Sequence, residues 1–71
     1  MRTAIHNEIA AVNRREPANI ILAARVDIEA GNVHIFNRYS FATHNHKSEM
    51  KALARLLKSR YNMDTTFARD V

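Results

Sequence analysis

The chain predicts an α+β domain in the order helix, antiparallel β-hairpin, helix (αββα), completed by dimerisation. Three observations predict it: apolar residues spaced by three and four near the N-terminus, a switch to a period of two around the single glycine, and a return to the helical period in the strongest amphipathic segment. Length bounds the reading. Seventy-one residues suffice for one domain, since compact domains usually run to about 100 residues or more.

The first helix is expected over residues 4–16, with Thr3 as N-cap and Ile5, Ile9 and Val12 as a narrow apolar stripe. Arg14 and Arg15 fall in its last turn, where cations complement the helix dipole, and Pro17 biases Glu16 out of helical angles. The hairpin follows over residues 19–41. In its first strand Ile20, Leu22, Ala24, Val26 and Ile28 alternate against Ile21, Ala23, Arg25, Asp27 and Glu29. In the second, Val33, Ile35, Tyr39 and Phe41 share a face with Asn37, and His34, Phe36, Arg38 and Ser40 share the other. A two-residue loop at Ala30 and Gly31 sets Ile28 against Val33, Val26 against Ile35, Leu22 against Tyr39, Asp27 against His34 and Arg25 against Phe36. Moving the loop to Gly31 and Asn32 keeps the faces but opposes Arg25 to Arg38, so like-charge repulsion favours the first register.

The last helix is expected over residues 46–61, with Met50, Leu53, Ala54, Leu57 and Tyr61 on one stripe and Thr43, Asn45 or Ser48 as its cap. Beyond Asn62 the pattern dissolves, and residues 62–71 are expected to be mobile or to dock Phe67 on the domain. Two strands alone are marginal in water. The hairpin therefore requires either a second subunit or both helices on one of its faces.

Composition excludes several classes. With 46% hydrophobic and 25% charged residues and one Gly and one Pro, the chain is globular rather than disordered, and no Gly-rich phosphate loop can be built. Without Cys there is no disulfide, thiolate zinc site or Cys nucleophile. The longest apolar run, residues 20–24, is far short of a membrane span of about 20 residues. Arg2, His6, Asn7 and Glu8 interrupt anything like a signal peptide, so the cytoplasm is the expected location.

Charge carries the functional expectation. The formal net charge is +4, and the excess sits on the last helix: Lys47, Lys51, Arg55, Lys58 and Arg60 are opposed there by Glu49 alone. Elsewhere Arg2, Arg14, Arg15, Arg25, Arg38 and Arg69 are balanced by Glu8, Glu16, Asp27, Glu29, Asp64 and Asp70. At about 100° per residue, Lys47, Lys58, Lys51 and Arg55 span an arc of roughly 80° beside the apolar stripe. Such a row can neutralise several phosphates at once. The plainer reading is a solvated helix face that maintains solubility. On the hairpin, Arg25, Phe36 and Arg38 share the non-core face, where a ring flanked by guanidinium groups can stack on a base. The plainer reading there is an apolar patch of Phe36 with Ile21 and Ala23, buried by a helix or a second subunit.

His44 and His46 form an H-x-H pair near His34, but without Cys and with Glu49 as the neighbouring carboxylate they are read as loop and cross-strand residues, and no metal or cofactor is expected. Asp27 and Glu29 resemble an acid and base pair only in spacing. Beside Arg25 and His34 they read as charge partners, so no catalytic residue is assigned.

Gly31-Asn-Val-His34, a strand, and then the run from Lys47 to Leu57 are loosely similar to the double-stranded-RNA-binding domain, whose hairpin loop carries a Gly-x-x-His and whose last helix opens with lysines. The segment between His34 and Lys47 is too short for that family's third strand, so the likeness serves as an analogy for a basic helix beside a hairpin straddling phosphates. The expectation is a non-catalytic nucleic-acid-binding or regulatory module, with Lys47, Lys51, Arg55, Lys58, Arg25, Phe36 and Arg38 in contact with DNA or RNA. The alternative is a protein-interaction module, an inhibitor or adaptor, that binds an acidic partner through the hairpin face or the basic helix.

Overall fold

Ile5, Ile9 and Val12 recur at the spacing of one helical face, and they form the buried side of α1 (Arg2–Arg15). The computed structural model describes residues 1–15, 21–37 and 46–69, with the backbone alone for Ile21, Leu22, Asn37, His46, Lys47 and Arg69. The helix begins earlier than expected. Ile5 N donates to Met1 O at 3.0 Å, which places Thr3 inside the first turn rather than at the cap. Glu16, Pro17 and the helix stop assigned to them lie outside the described residues.

The hairpin is β1 (Ile21–Asp27) paired antiparallel with β2 (Asn32–Asn37). Its register corrects the expected one by two residues: Val26 opposes Val33, Ala24 opposes Ile35, Arg25 opposes His34, Asp27 opposes Asn32 and Ala23 opposes Phe36. The turn is the reason. A two-residue loop at Ala30 and Gly31 requires a left-handed Ala30, which its Cβ opposes. Instead residues 28–31 form the connection: Asp27 Oδ1 accepts from Ala30 N at 3.0 Å, Ile28 O accepts from Gly31 N at 3.2 Å, and only Gly31 takes a positive φ there, of 67°. A slide of two preserves both faces. It does move Ile28 and Glu29 out of the strand and into the turn, where both are exposed. The expected pair Leu22 with Tyr39, and the residues Arg38, Ser40 and Phe41, lie outside what is described.

The second helix, α2 (His46–Tyr61), has the expected bounds, while Thr43 and Asn45 lie outside the described residues and Ser48 sits within its first turn. Asn62 ends the helix in the left-handed conformation, at a φ of 56°, with its N donating to Lys58 O at 3.0 Å. Met63, 2% exposed, then drops into the core. The tail, expected to be mobile or to dock Phe67, is a strand, β3 (Asp64–Arg69), parallel to β2, and Phe67 packs against the core. The order is therefore αββαβ, with the sheet running β1-β2-β3. Asp64 N donates to Gly31 O at 2.9 Å, which ties the start of β3 to the turn.

Both helices cover one face of this sheet. Val26, Val33 and Ile35 meet Ile5, Ile9 and Val12 of α1, Met50, Leu53 and Leu57 of α2, and Met63 in a single core. Burying each such side chain stabilises the fold by about 1.5–3 kcal/mol. The helices run antiparallel, because Glu8 pairs with Arg60 and Arg15 with Glu49. The expectation of a dimer rested on a two-stranded sheet, to which β3 adds a third strand.

Candidate nucleic-acid interface

The cations singled out in the sequence separate into two groups on opposite sides of the molecule. One side is the sheet face that neither helix covers. On it Phe36, 38% exposed, lies on the central strand between Ala23 of β1 and Ala68 of β3. Arg25 is exposed on the same face but stands opposite His34, not Phe36. His34 is held by Asn32, whose Nδ2 lies 3.0 Å from Nε2, and Asn32 Nδ2 also donates to Thr66 Oγ1 at 3.1 Å. Arg38 lies outside the described residues. The expected cradle of two guanidinium groups about one ring is thus reduced to Arg25, one residue pair away.

The other side is α2. Leu57, Met50 and Leu53 turn into the core and divide the helix into two flanks. The flank facing α1 carries Glu49 and Arg60, and both are paired: Glu49 Oε2 with Arg15 at 3.2 Å, Arg60 with Glu8 Oε2 at 2.9 Å. The flank facing away carries Lys51, Arg55 and Lys58, all exposed, with Lys47 on the same flank by position although its side chain lies outside the described residues. Lys58 Nζ reaches Asp64 Oδ1 at 3.2 Å, with both groups largely in solvent. Lys51 and Arg55 pair with no described carboxylate. Their Cα positions are about 6 Å apart along the axis, one turn of helix.

This geometry concentrates positive charge on one flank of α2 and leaves its described side chains exposed. Asp27, half of the acid and base pair weighed above, caps the turn through Ala30 N, and Glu29 lies in that turn instead of beside it on a strand. Among the described residues no group of three or more His, Asp or Glu is placed to hold a metal ion.

Two participants escaped the sequence reading. Asp64 was assigned to a tail, yet as the first residue of β3 it meets Lys58. Arg2, 24 residues from Val26, donates from its guanidinium to the Val26 carbonyl at 3.1 Å and lies across β1. The alternation of Met63, Thr65 and Phe67 with Asp64, Thr66 and Ala68 was the available signal for β3. Nothing local signals the Arg2 contact.

Comparison with protein-family models, with characterised proteins and with solved structures yields no match. The likeness to the double-stranded-RNA-binding domain therefore stays confined to the residues quoted for it, and the third strand of this chain follows α2 instead of preceding it. No helix among the described residues is long and apolar enough to cross a membrane.

Proposed function

We propose that the chain is a non-catalytic nucleic-acid-binding module of the cytoplasm, and that the outer flank of α2 supplies the phosphate contacts. The observation that carries this reading is the pair Lys51 and Arg55, exposed one turn apart and opposed by no described carboxylate. Lys47 and Lys58 extend the row in both directions, and Asp64 moderates only its far end. Phe36 and Arg25 face the other way, so a strand engaging both groups has to pass around the edge of the sheet. The primary contact is with the backbone, and little sequence selectivity is expected from it.

The test is affinity for a random oligonucleotide as a function of salt. With Lys58 engaged by Asp64, the other three cations of the flank give a slope of log K against log salt of about −2 for a single strand, and Lys51→Ala with Arg55→Ala reduces its magnitude by about 1.4, with the fold unchanged. Absence of binding at low salt overturns the reading. Light scattering on the same sample reads the oligomeric state; a homodimer doubles the number of cations presented. One observation favours the second reading, an acidic protein partner: the row of cations stands beside an edge of the sheet.

A further inference from the structure

We propose that the sheet face opposite the helices seats one unpaired base of a single-stranded nucleic acid on Phe36, with Arg25 holding a phosphate of the same strand. The inference rests on the nucleic-acid reading and gives it a second contact and a preference for unpaired strands. With Val26, Val33 and Ile35 turned into the core, alternation puts Ala23, Arg25, His34, Phe36, Thr66 and Ala68 on the other face. This face is accessible. Ala23, Arg25, Phe36 and Thr66 are all exposed, at least one on each of the three strands.

Phe36 stands on the central strand, 38% exposed, and its cross-strand neighbours are Ala23 and Ala68. Methyl groups on both sides neither cover the ring nor crowd a flat molecule laid on it, so the row forms an apolar shelf about 10 Å across. Every base has a π-face to offer such a shelf. The next row, about 6.7 Å along the strands, sets Arg25 beside His34 and Thr66. Arg25 is exposed, pairs with no described carboxylate and is a diagonal neighbour of Phe36, so its long side chain reaches a group bound over the ring. Asn32 Nδ2 lies 3.0 Å from His34 Nε2 and donates to Thr66 Oγ1 at 3.1 Å, which holds this middle row in place. One row further, Asp27 and Asp64 flank Asn32 and repel phosphate, so the strand is directed from Arg25 toward Phe36 and away from the turn. A nucleotide joins a flat ring to an anion, the pair of groups that the shelf and Arg25 receive.

The experiment is fluorescence polarisation at low salt on the intact chain, with three probes of equal length: a single-stranded oligonucleotide, the same backbone with abasic sites throughout, and a duplex whose bases are stacked on one another. The single strand is expected to bind about fivefold or more tighter than the abasic strand, the gain from one stacked base. Phe36→Ala, checked for fold by circular dichroism, is expected to abolish that difference while leaving duplex binding and the slope of log K against log salt as they were; Phe36→Tyr is expected to keep it. Equal binding of the single and abasic strands overturns the proposal and leaves the phosphate contacts of α2 standing. Binding of no probe overturns both. A base preference that Phe36→Ala removes, with a salt slope that Lys51→Ala and Arg55→Ala leave unchanged, sustains the seat and removes the flank from the contact. Light scattering reads the rival occupant: a dimer that Phe36→Ala splits into monomers shows that a second copy covers this face and overturns the proposal. The comparison of the two single strands uses the unaltered protein, so the test does not depend on how a variant folds.

Discussion

The two flanks of α2 are built from similar residues and have opposite fates. Toward α1, Glu49 and Arg60 meet Arg15 and Glu8 and become an interhelical brace. Away from α1, Lys51 and Arg55 meet no described acid, and Lys58 meets one whose carboxylate is mostly in solvent. What separates them is the neighbouring helix, since α1 brings Glu8 and Arg15 to one flank and no described element does the same for the other. Net charge on a helix is thus a tertiary property. The wheel of α2 alone locates the cations, but only the neighbouring helix decides which of them remain available.

The most severe way to break the contrast is to remove what divides the flanks. Leu57→Ala deletes a fully buried side chain from the ridge between them, and a loss of about 2–5 kcal/mol in urea unfolding is expected. In so small a domain that removes both surfaces together. A gentler test measures the brace itself. A double-mutant cycle on Glu8 and Arg60 is expected to give a coupling of about 0.2–1 kcal/mol that shrinks as salt is raised. A coupling of zero would mean that the inner flank is neutral in charge but not held by this pair. The smallest effect on stability, under about 0.5 kcal/mol, is expected for Asp64→Asn, because both members of its pair are exposed. That substitution sharpens the outer flank: freeing Lys58 should steepen the salt dependence of polyanion binding by about 0.7 to 0.9 of a unit. An unchanged slope would place Lys58 outside the interface.

Local periodicity made α2 legible to the residue, since Met50, Leu53, Leu57 and Tyr61 leave one way to bury the stripe. It made the faces of the hairpin legible too, because alternation survives any slide by two. The register was not, because the cost of a left-handed Ala30 and the reach of Asp27 to Ala30 N are set by turn geometry, which the strand pattern does not encode. The third strand was missed for a different reason. Its inward residues Thr65 and Phe67 are few, and its partner β2 lies far back along the chain. Of the candidate site, Lys51, Arg55 and Lys58 were legible as a row on one helix, whereas the pairing that spares the first two depends on Glu8, Arg15 and Asp64, none of which is adjacent to them in sequence.

The parallel pairing of β2 with β3 also governs how the chain finds its structure. Each helix, and the hairpin, closes over a short span, but Asn32 meets Asp64 only after 32 residues have been spanned. Closing a loop of that length costs about 3 kcal/mol in chain entropy before any contact rewards it. The contact of α1 with α2 spans more chain still, 52 residues between Glu8 and Arg60, so these non-local dockings rather than the local elements are the slow steps expected of the fold, and the left-handed turn at Asn62 aids one of them by aiming Met63 and the residues behind it back toward the sheet.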